Sequence, residues 1–196
     1  MPVGMSMAKK PMIQEIIADH VRSITPMDTL EANHRRETLD WVESGADLFR
    51  LQKPAVPPKH LVAYFAIVDP ASRKMLLQDH LLAKRWIPPG GHVDPGEDPT
   101  QTVQRECVEE LGIPAVFLGR PKPHFVTVTQ TNGPGQHTDV SLWYLLRASE
   151  SAPLALEENK FAAVQWWQLD DILRSPIEHF DPHLHRFYKK IHALVA

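Results

Sequence analysis

The chain has a single cysteine among its 196 residues, Cys107, which excludes an intrachain disulfide and a cysteine-based zinc site. It has no continuous apolar run of about 18 residues, and its first 20 residues lack the apolar segment of a signal peptide. Excess positive charge is also missing, because the formal net charge is −3. We therefore expect neither nucleic acid nor a membrane as a partner, and we predict a cytoplasmic protein.

The composition that remains is that of a folded protein with a proper core. Hydrophobic residues make up 43% of the chain and charged residues 23%. The first third has apolar residues at helical spacing in "KPMIQEIIADHVRSI", and a second helix is predicted to open at Thr25-Pro26. The proline-rich stretch "LQKPAVPPKH" is typical of a linker. The sequence thus predicts a helical N-terminal extension over residues 1–52, followed by a domain over residues 53–196.

The second part of the chain is rich in strand signals. Five segments are predicted strands: "LVAYFAIVD", "KMLLQDH", "HFVTVTQT", "HTDVSLWYLL" and "AVQWWQL". The turn-forming stretch "TNGPGQ" separates the third from the fourth and predicts a hairpin. Helices are predicted at "DDILRS" and "HLHRFYKKIHALVA". Strands, one well-marked helix, more strands and a late helix predict an α+β fold of the α/β/α sandwich type.

The well-marked helix lies between Asp98 and Gly112. Asp98 is a suitable N-cap, Pro99 takes the first helical position and Gln101 completes a capping-box pattern. Gly112 stands where helices commonly end in the left-handed conformation. At about 100° per residue, one arc of the helix is apolar and is expected in the core: Val103, Cys107 and Leu111. A neighbouring arc, flanked by Arg105, is acidic: Glu106, Glu109 and Glu110.

Three glutamates within one helical turn repel one another, at a cost of about a few tenths of a kcal/mol per pair. A solvated acidic face is one interpretation, since glutamate is a good helix former. The preceding segment "WIPPGGHVDPGE" favours another, because its prolines and glycines force tight turns and let a main-chain carbonyl approach the helix. Carboxylates and a carbonyl form an all-oxygen site of the kind that Mg²⁺ or Mn²⁺ prefers.

This stretch resembles the Nudix box of the MutT-like hydrolases, G-x5-E-x7-R-E-U-x-E-E-x-G-U, in which U is aliphatic. The one departure is Cys107 at an aliphatic position, where a buried free cysteine behaves as a small hydrophobe. The matching residues are Gly91, Glu97, Arg105, Glu106, Glu109, Glu110, Gly112 and Ile113. The surrounding strand order, from about His60 to Ser175, is also similar. The resemblance implies a Nudix-type sandwich with a mixed sheet.

The resemblance also implies a reaction, the hydrolysis of a nucleoside diphosphate linked to another group by attack of water on phosphorus. A pyrophosphate would be repelled by bare glutamates, so a divalent metal, Mg²⁺ or Mn²⁺, is the expected cofactor. The implied metal ligands are the side chains of the three glutamates and the carbonyl of one glycine: Glu106, Glu109, Glu110 and Gly90.

The remaining roles in the box follow from the same resemblance. Arg105 is expected to orient Glu106, and Glu97 to pair with Arg105 and hold the loop against the helix. Glu106 is the first candidate for the general base, while Glu109 and a glutamate from a later loop remain open. That later loop, "LALEENKFAAVQWW", offers Glu157 and Glu158. In this loop, Lys160 occupies a position where the resemblance implies an acidic residue.

The substrate is less well marked than the reaction. Signatures of several Nudix subgroups are missing downstream of the box, which favours a small-molecule substrate similar to a nucleoside triphosphate. Trp86, Tyr64, Phe125 and Trp143 are candidates to stack on a base, with core packing as the alternative. Alternation in "HTDVSLWYLL" brings His137, Asp139, Ser141 and Trp143 onto one face, a possible pocket lining or a solvated face. From these sets the predicted substrate-binding residues are Trp86, Tyr64 and Asp139.

Other functions and partners are compatible with parts of the sequence. A Nudix-like sensor would bind a nucleotide without turnover, although the intact glutamate set weighs against it. A diphosphate isomerase on the same fold would need catalytic cysteine chemistry, and Cys107 is expected on the core side. A C-terminal group could bind a transition metal: His179, His183, His185, His192 and Asp181. The N-terminal extension is expected to pack on the core, and a homodimer is possible.

Overall fold

The central element of the chain is a mixed sheet. The computed structural model describes residues 12–53, 55–131, 135–157 and 161–195, and the sheet has seven strands within those ranges. The strands are β1 (Lys59–Asp69), β2 (Lys74–His80), β3 (Arg85–Ile87), β4 (Gly90–His92), β5 (Phe125–Gln130), β6 (Thr138–Arg147) and β7 (Phe161–Gln168). The main order is β3-β2-β1-β6-β5, with β4 added to β1 and β7 added to β2. The pair β1–β6 is parallel and the other pairs are antiparallel.

Helices cover both faces of this sheet. They are α1 (Ile13–Arg22), α2 (Thr29–Glu43), α3 (Pro99–Leu111), α4 (Leu169–Arg174) and α5 (Leu184–Val195), with a 3-10 turn at Ile177–His179. One core joins apolar residues of α1, α2 and α3 to one face of β1 and β6. A second core joins α4 and α5 to the opposite face. The predicted α+β sandwich with a mixed sheet is therefore confirmed.

Most predicted elements lie where the sequence placed them, and two parts of the prediction need correction. Helix α2 begins at Thr29 rather than at Thr25-Pro26, because the Asp28 side chain accepts a hydrogen bond from the Glu31 N–H at 2.8 Å and caps the helix. The short strands β3 and β4 were not predicted, since three residues carry little pattern. The β5–β6 hairpin is present, and part of its predicted turn, residues 132–134, lies outside the described residues.

The N-terminal helices are integrated with the rest of the chain. Ile17 and Val21 of α1 are fully buried in the core that also contains α3. Asp28 accepts two hydrogen bonds from the guanidinium of Arg186 on α5, at 3.0 and 2.6 Å. These bonds are the largest cause of the lowering of the Asp28 pKa to about 2. None of the helices in the described ranges is long and apolar enough to cross a membrane.

The extension also reaches the cap of helix α3. His20 Nε2 lies 3.1 Å from Asp98 Oδ1, which also accepts hydrogen bonds from the N–H and the hydroxyl of Thr100. Burial opposes ionisation of Asp98, but these bonds outweigh it and lower the pKa of this carboxyl to about 2. The carboxylate therefore stabilises the fold above its unfolded pKa of about 4, and this stability is lost as the pH falls through about 2.

We expect Asp98→Asn to lower the free energy of unfolding by about 2 kcal/mol at pH 6 and by little near pH 2. Asparagine is itself a good N-cap, so the substitution removes the charge without removing the cap. Urea unfolding of both proteins across this pH range measures the effect. A difference that stays constant with pH would contradict the proposed linkage.

Candidate active site

Helix α3 is held at both ends by the local signals that the sequence carries. Asp98 caps its first turn together with Gln101, and Gly112 ends it with a φ of 68°, in the left-handed region. The apolar arc packs into the core as predicted, with Val103, Cys107 and Leu111 fully buried. The helix is therefore fixed in rotation, and this fixes the directions of its glutamates.

The three glutamates have different surroundings, which corrects the expectation of one accessible acidic arc. Glu110 is fully buried, Glu106 is 7% exposed, and the Glu109 side chain is 54% exposed. The difference arises because strand β4 lies over the first two. A solvated acidic face therefore describes Glu109 alone.

Arg105 connects most of the acidic residues of this site. Its guanidinium donates to both carboxylate oxygens of Glu97, at 3.1 and 3.0 Å. It donates at 2.7 Å to Glu106 and at 3.2 Å to Glu109. A further bond of 3.2 Å runs to the carbonyl of His92 on β4. The arginine thus ties the helix, the loop before it and the neighbouring strand into one arrangement.

The electrostatics of the pair Arg105–Glu97 follow from this contact. The hydrogen bonds that Arg105 donates to Glu97 are the main cause that raises the pKa of Arg105 above its ordinary value. Burial opposes ionisation of Glu97, but the bonds from Arg105 and Thr102 prevail and lower the pKa of its carboxyl. Thr102 adds a bond of 2.7 Å to Glu97. Glu97 and Arg105 therefore form an ion pair at neutral pH.

The two glycines of β4 permit a close approach that other residues would prevent. A Cβ on Gly91 would lie 1.9 Å from Glu106 Oε1, and a Cβ on Gly90 would lie 2.5 Å from the Ala63 carbonyl oxygen. Real Cβ atoms are not found at such distances, so Gly90 must be glycine to avoid the backbone of β1, and a side chain at Gly91 would have to displace the Glu106 carboxylate. The predicted tight turn is in fact an extended strand at this point, paired with β1.

The main chain of Gly90 faces Glu110. Gly90 pairs with Tyr64 of β1. The residue before it, Pro89, is bonded to β1, because its carbonyl accepts a hydrogen bond from the Phe65 N–H at 2.9 Å. Alternate residues of an antiparallel strand bond to the same neighbour, so Gly90 directs its N–H and its carbonyl away from β1. The Gly90 N–H lies 3.3 Å from Glu110 Oε2. The carbonyl therefore lies on the side of the strand where the glutamates are.

Glu110 also contacts strand β2 and the later acidic loop. Gln78 Nε2 donates to Glu110 Oε2 at 3.0 Å. The Glu157 N–H donates to the Glu110 carbonyl at 3.1 Å, which places the later loop beside the end of α3. Glu157 is exposed. Glu158 and Lys160 lie outside the described residues.

The predicted aromatic platforms differ in their accessibility. Phe125 and Trp143 are fully buried and pack in the core, so they are not available to a base. Tyr64 is half-buried and packs edge-on against Trp143, with ring centroids 5.1 Å apart. Burial, assisted by Asp181, Asp139 and Glu110, raises the pKa of Tyr64 well above its ordinary value. The phenol of Tyr64 is therefore neutral at pH 7.

Trp86 lies against strand β7. It is half-buried, and its ring packs edge-on against Trp167 at 5.3 Å. Its carbonyl accepts a hydrogen bond from the Asp181 N–H at 3.0 Å. Of the predicted substrate-binding residues, Tyr64 and Asp139 lie on the neighbouring strands β1 and β6, and Trp86 packs against β7.

Asp139 lies among three histidines, of which the sequence had indicated only His137. His60 is its direct neighbour in the β1–β6 register, and His92 follows Gly91 on β4. Burial is the main cause that lowers the pKa of His92 to about 3, so this side chain is neutral at pH 7. His60 could not be inferred from pattern alone, because its position depends on a parallel pairing between strands about 80 residues apart.

Cys107 and the C-terminal histidines do not form sites of their own. Burial raises the pKa of the Cys107 thiol to about 12, so it is not a thiolate at neutral pH. This weighs against cysteine-based isomerase chemistry. The predicted C-terminal group of histidines does not bring its side chains together as a metal site within the described ranges.

The donor set on α3 and β4 fits a divalent cation. One guanidinium, that of Arg105, faces the carboxylates of Glu97, Glu106 and Glu109. Glu106 and Glu110 are also buried, and buried negative charge is costly unless positive charge compensates it. Carboxylate and carbonyl oxygens are the ligands that Mg²⁺ and Mn²⁺ prefer. The fold therefore defines the class as an α/β/α sandwich protein, and this donor set would suit such a cation.

The chain belongs to the Nudix family. A family model of the NUDIX domain matches residues 58–189. The asymmetrical bis(5'-nucleosyl)-tetraphosphatase of Caenorhabditis elegans is 31% identical over 101 residues, which cover 51% of this chain and 70% of that protein. The corresponding Rattus norvegicus protein is 51% identical over 44 residues, which cover 22% of this chain and 30% of the rat protein. The chain thus matches less than a third of the rat protein's length.

A comparison of folds agrees with this assignment. The NUDIX domain of Shewanella oneidensis NrtR complexed with ADP ribose superimposes with a TM-score of 0.53 at 16% identity. The match covers 79% of this chain and 92% of that chain. The Nudix-type sandwich is therefore present here.

Proposed function

We propose that this chain is a Nudix pyrophosphohydrolase, which uses a divalent metal to cleave a pyrophosphate bond in a nucleoside diphosphate-linked compound. The observation that supports it best is the arrangement of Glu97, Glu106 and Glu109 around Arg105, which is bonded to β4. A protein that only binds a nucleotide does not need carboxylates fixed in this way. A bound Mg²⁺ or Mn²⁺ would neutralise pyrophosphate oxygens and stabilise the charge that develops on the transferred phosphoryl group.

The metal would be held by oxygen atoms of α3 and β4. The proposed ligands are the carboxylates of Glu106, Glu109 and Glu110 and the carbonyl of Gly90. The direction of the Gly90 carbonyl and the 3.3 Å contact of its N–H with Glu110 support this set. Glu157 is a further candidate, because its backbone is bonded to Glu110.

The residues of the chain would handle the proton and the orientation. Attack of water forms a phosphorus–oxygen bond and breaks the anhydride bond, and the proton of the water passes to a carboxylate. We propose Glu106 as this general base, because Arg105 holds it at 2.7 Å and Glu97 holds Arg105 in turn. Glu109 and the later loop provide the alternatives. Tyr64, Asp139 and Trp86 are the proposed substrate contacts.

Two substrate types deserve comparison within this reaction class. The absence of subgroup signatures favours a nucleoside triphosphate or a similar compound. The likeness to asymmetrical bis(5'-nucleosyl)-tetraphosphatases, at 31% identity over 70% of the C. elegans protein, favours a dinucleoside tetraphosphate. Both contain the pyrophosphate bond that the site is suited to cleave.

The experiment is a panel assay of phosphate and pyrophosphate release. It includes nucleoside triphosphates, oxidised nucleotides, nucleoside diphosphate sugars, ADP-ribose and dinucleoside tetraphosphates, with Mg²⁺ or Mn²⁺ and then with EDTA. We expect turnover of at least one compound that EDTA abolishes, because the glutamates repel pyrophosphate without the metal. Tight binding of one compound with no turnover of any would support the nucleotide sensor instead.

A further inference from the structure

A second group of ligand-type side chains lies outside the glutamate site. His60, His92, His137 and Asp139 each offer one donor atom, and the four donors lie within 4.8 Å of one another. They come from β1, β4 and the beginning of β6, three strands that meet at this point of the sheet. From this cluster, which we name the histidine cluster, we infer a second metal site that takes Zn²⁺ or a similar transition-metal ion.

The orientation of two of the histidines supports a metal site. His60 Nδ1 lies 2.9 Å from the Pro57 carbonyl, and His137 Nδ1 lies 2.8 Å from the Gly135 carbonyl. A carbonyl only accepts, so each Nδ1 carries a proton, and Nε2 is the ring atom of each histidine that could bind a metal. Both Nε2 atoms point to Asp139 Oδ1. Metal-binding histidines commonly donate their other ring N–H to a carbonyl in this way.

The polar atoms at the centre of the cluster are buried and contact one another without well-directed hydrogen bonds. The His60 side chain is fully buried, and among the described residues none forms a hydrogen bond with His60 Nε2, His92 Nε2 or Asp139 Oδ1. Leaving such atoms unsatisfied is costly, and buried polar atoms are nearly always paired. A cation bound by all of them would remove this cost.

Two of the distances between donor atoms have the size that a tetrahedral ion requires, and the others would shorten from at most 4.8 Å on binding. Asp139 Oδ1 lies 3.4 Å from His60 Nε2 and 3.1 Å from His137 Nε2. In a tetrahedral site with bonds of about 2.0 Å, two ligand atoms are about 3.3 Å apart. Three imidazoles and one carboxylate suit Zn²⁺, whereas Mg²⁺ prefers oxygen ligands. An anion is disfavoured here, because the central carboxylate oxygen would repel it.

Four protein ligands would close the coordination of the ion, so the site is structural rather than catalytic, and with the ion bound Asp139 would serve as its ligand instead of contacting substrate. It would fasten β1 to β4 and to the beginning of β6. The glutamate site and the histidine cluster therefore differ in chemistry, one with hard oxygen ligands and the other mainly with nitrogen. The two would select different metals from one solution.

The test measures how much zinc the full chain binds. The protein is first stripped of metal with a chelator and is then dialysed against Zn²⁺, with excess Mg²⁺ present to occupy the glutamate site. We expect one zinc per chain by elemental analysis. Replacing Zn²⁺ by Co²⁺ should give the strong visible absorption of a tetrahedral ion. Zinc at about a hundredfold above its Kd should raise the Tm by about 5–10 °C. No zinc uptake, or a weak octahedral Co²⁺ spectrum, would overturn the proposal.

Variants of the histidine cluster test whether the zinc ion binds at these residues. His137→Asn and His60→Asn keep a donor for the carbonyl but remove Nε2. Each should weaken zinc binding about a hundredfold or more, since loss of even an orienting partner costs about 10- to 100-fold. His137 lies nearer the surface than buried His60, so it remains informative if the His60 variant does not fold. His192→Asn on α5, an exposed histidine, is the matched control. Unchanged binding in folded His137→Asn would overturn the assignment.

Discussion

Replacing Glu109 by glutamine is expected to lower kcat at least about a hundredfold, the scale of losing a main electrostatic or general-base contribution. The fold should hardly change, because the Glu109 side chain is 54% exposed and lies at the surface of α3. Glutamine keeps the size and the helix propensity of glutamate but removes the charge that would bind a divalent cation. The measurement is kcat as a function of Mg²⁺ concentration, together with thermal unfolding.

The matched control is Glu178→Gln, which makes the same change of charge at an exposed position in the 3-10 turn. Its activity should equal that of the unchanged protein. If Glu109→Gln were fully active, Glu109 would not belong to the metal site. If both variants lost activity equally, the effect would come from net charge rather than from a ligand.

Gly91→Ala is expected to lower kcat about a hundredfold without any change to a charged residue. The new Cβ would lie 1.9 Å from Glu106 Oε1 and 2.1 Å from its Cδ, so the carboxylate must move by more than 1 Å. A displacement of about 1 Å of a catalytic group can cost about a hundredfold in rate. The clash is with the end of a flexible side chain, so the protein should still fold. Steady-state kinetics and circular dichroism test both parts.

A double-mutant cycle shows whether Gly91→Ala acts through Glu106. If it does, the double variant Gly91→Ala, Glu106→Gln should lose no more activity than Glu106→Gln alone. Multiplicative losses would mean that Gly91 affects the reaction by another route. Activity of Gly91→Ala close to that of the unchanged protein would show that Glu106 works from a different position.

The elements with their own local signals could be predicted from the sequence. Strand β2 lies at the predicted residues, and α3 has the predicted cap, proline and terminal glycine. The resemblance to the Nudix box also implied that Arg105 would contact Glu97 and Glu106, and the structure has both contacts. In each of these cases the information lies within a few residues of the feature.

The features that depend on distant pairing could not be predicted. Strand β4 has three residues, and it is a strand only because β1 lies beside it. Burial of Glu110 follows from Gln78 on β2, 32 residues away. The approach of His60 to Asp139 needs the parallel register of β1 and β6. The start of α2 was missed for a local reason, since Asp28 competed with Thr25-Pro26 as a cap.

The attachment of the first two helices bears on the shortest piece of this chain that can fold. The family match begins at residue 58, but Ile17 and Val21 share one core with Phe65 of β1. A chain cut at that boundary would expose this apolar face to water and leave Arg186 without Asp28. The unit of folding is therefore larger than the unit of homology, and activity measured on the matched region alone would describe a damaged protein.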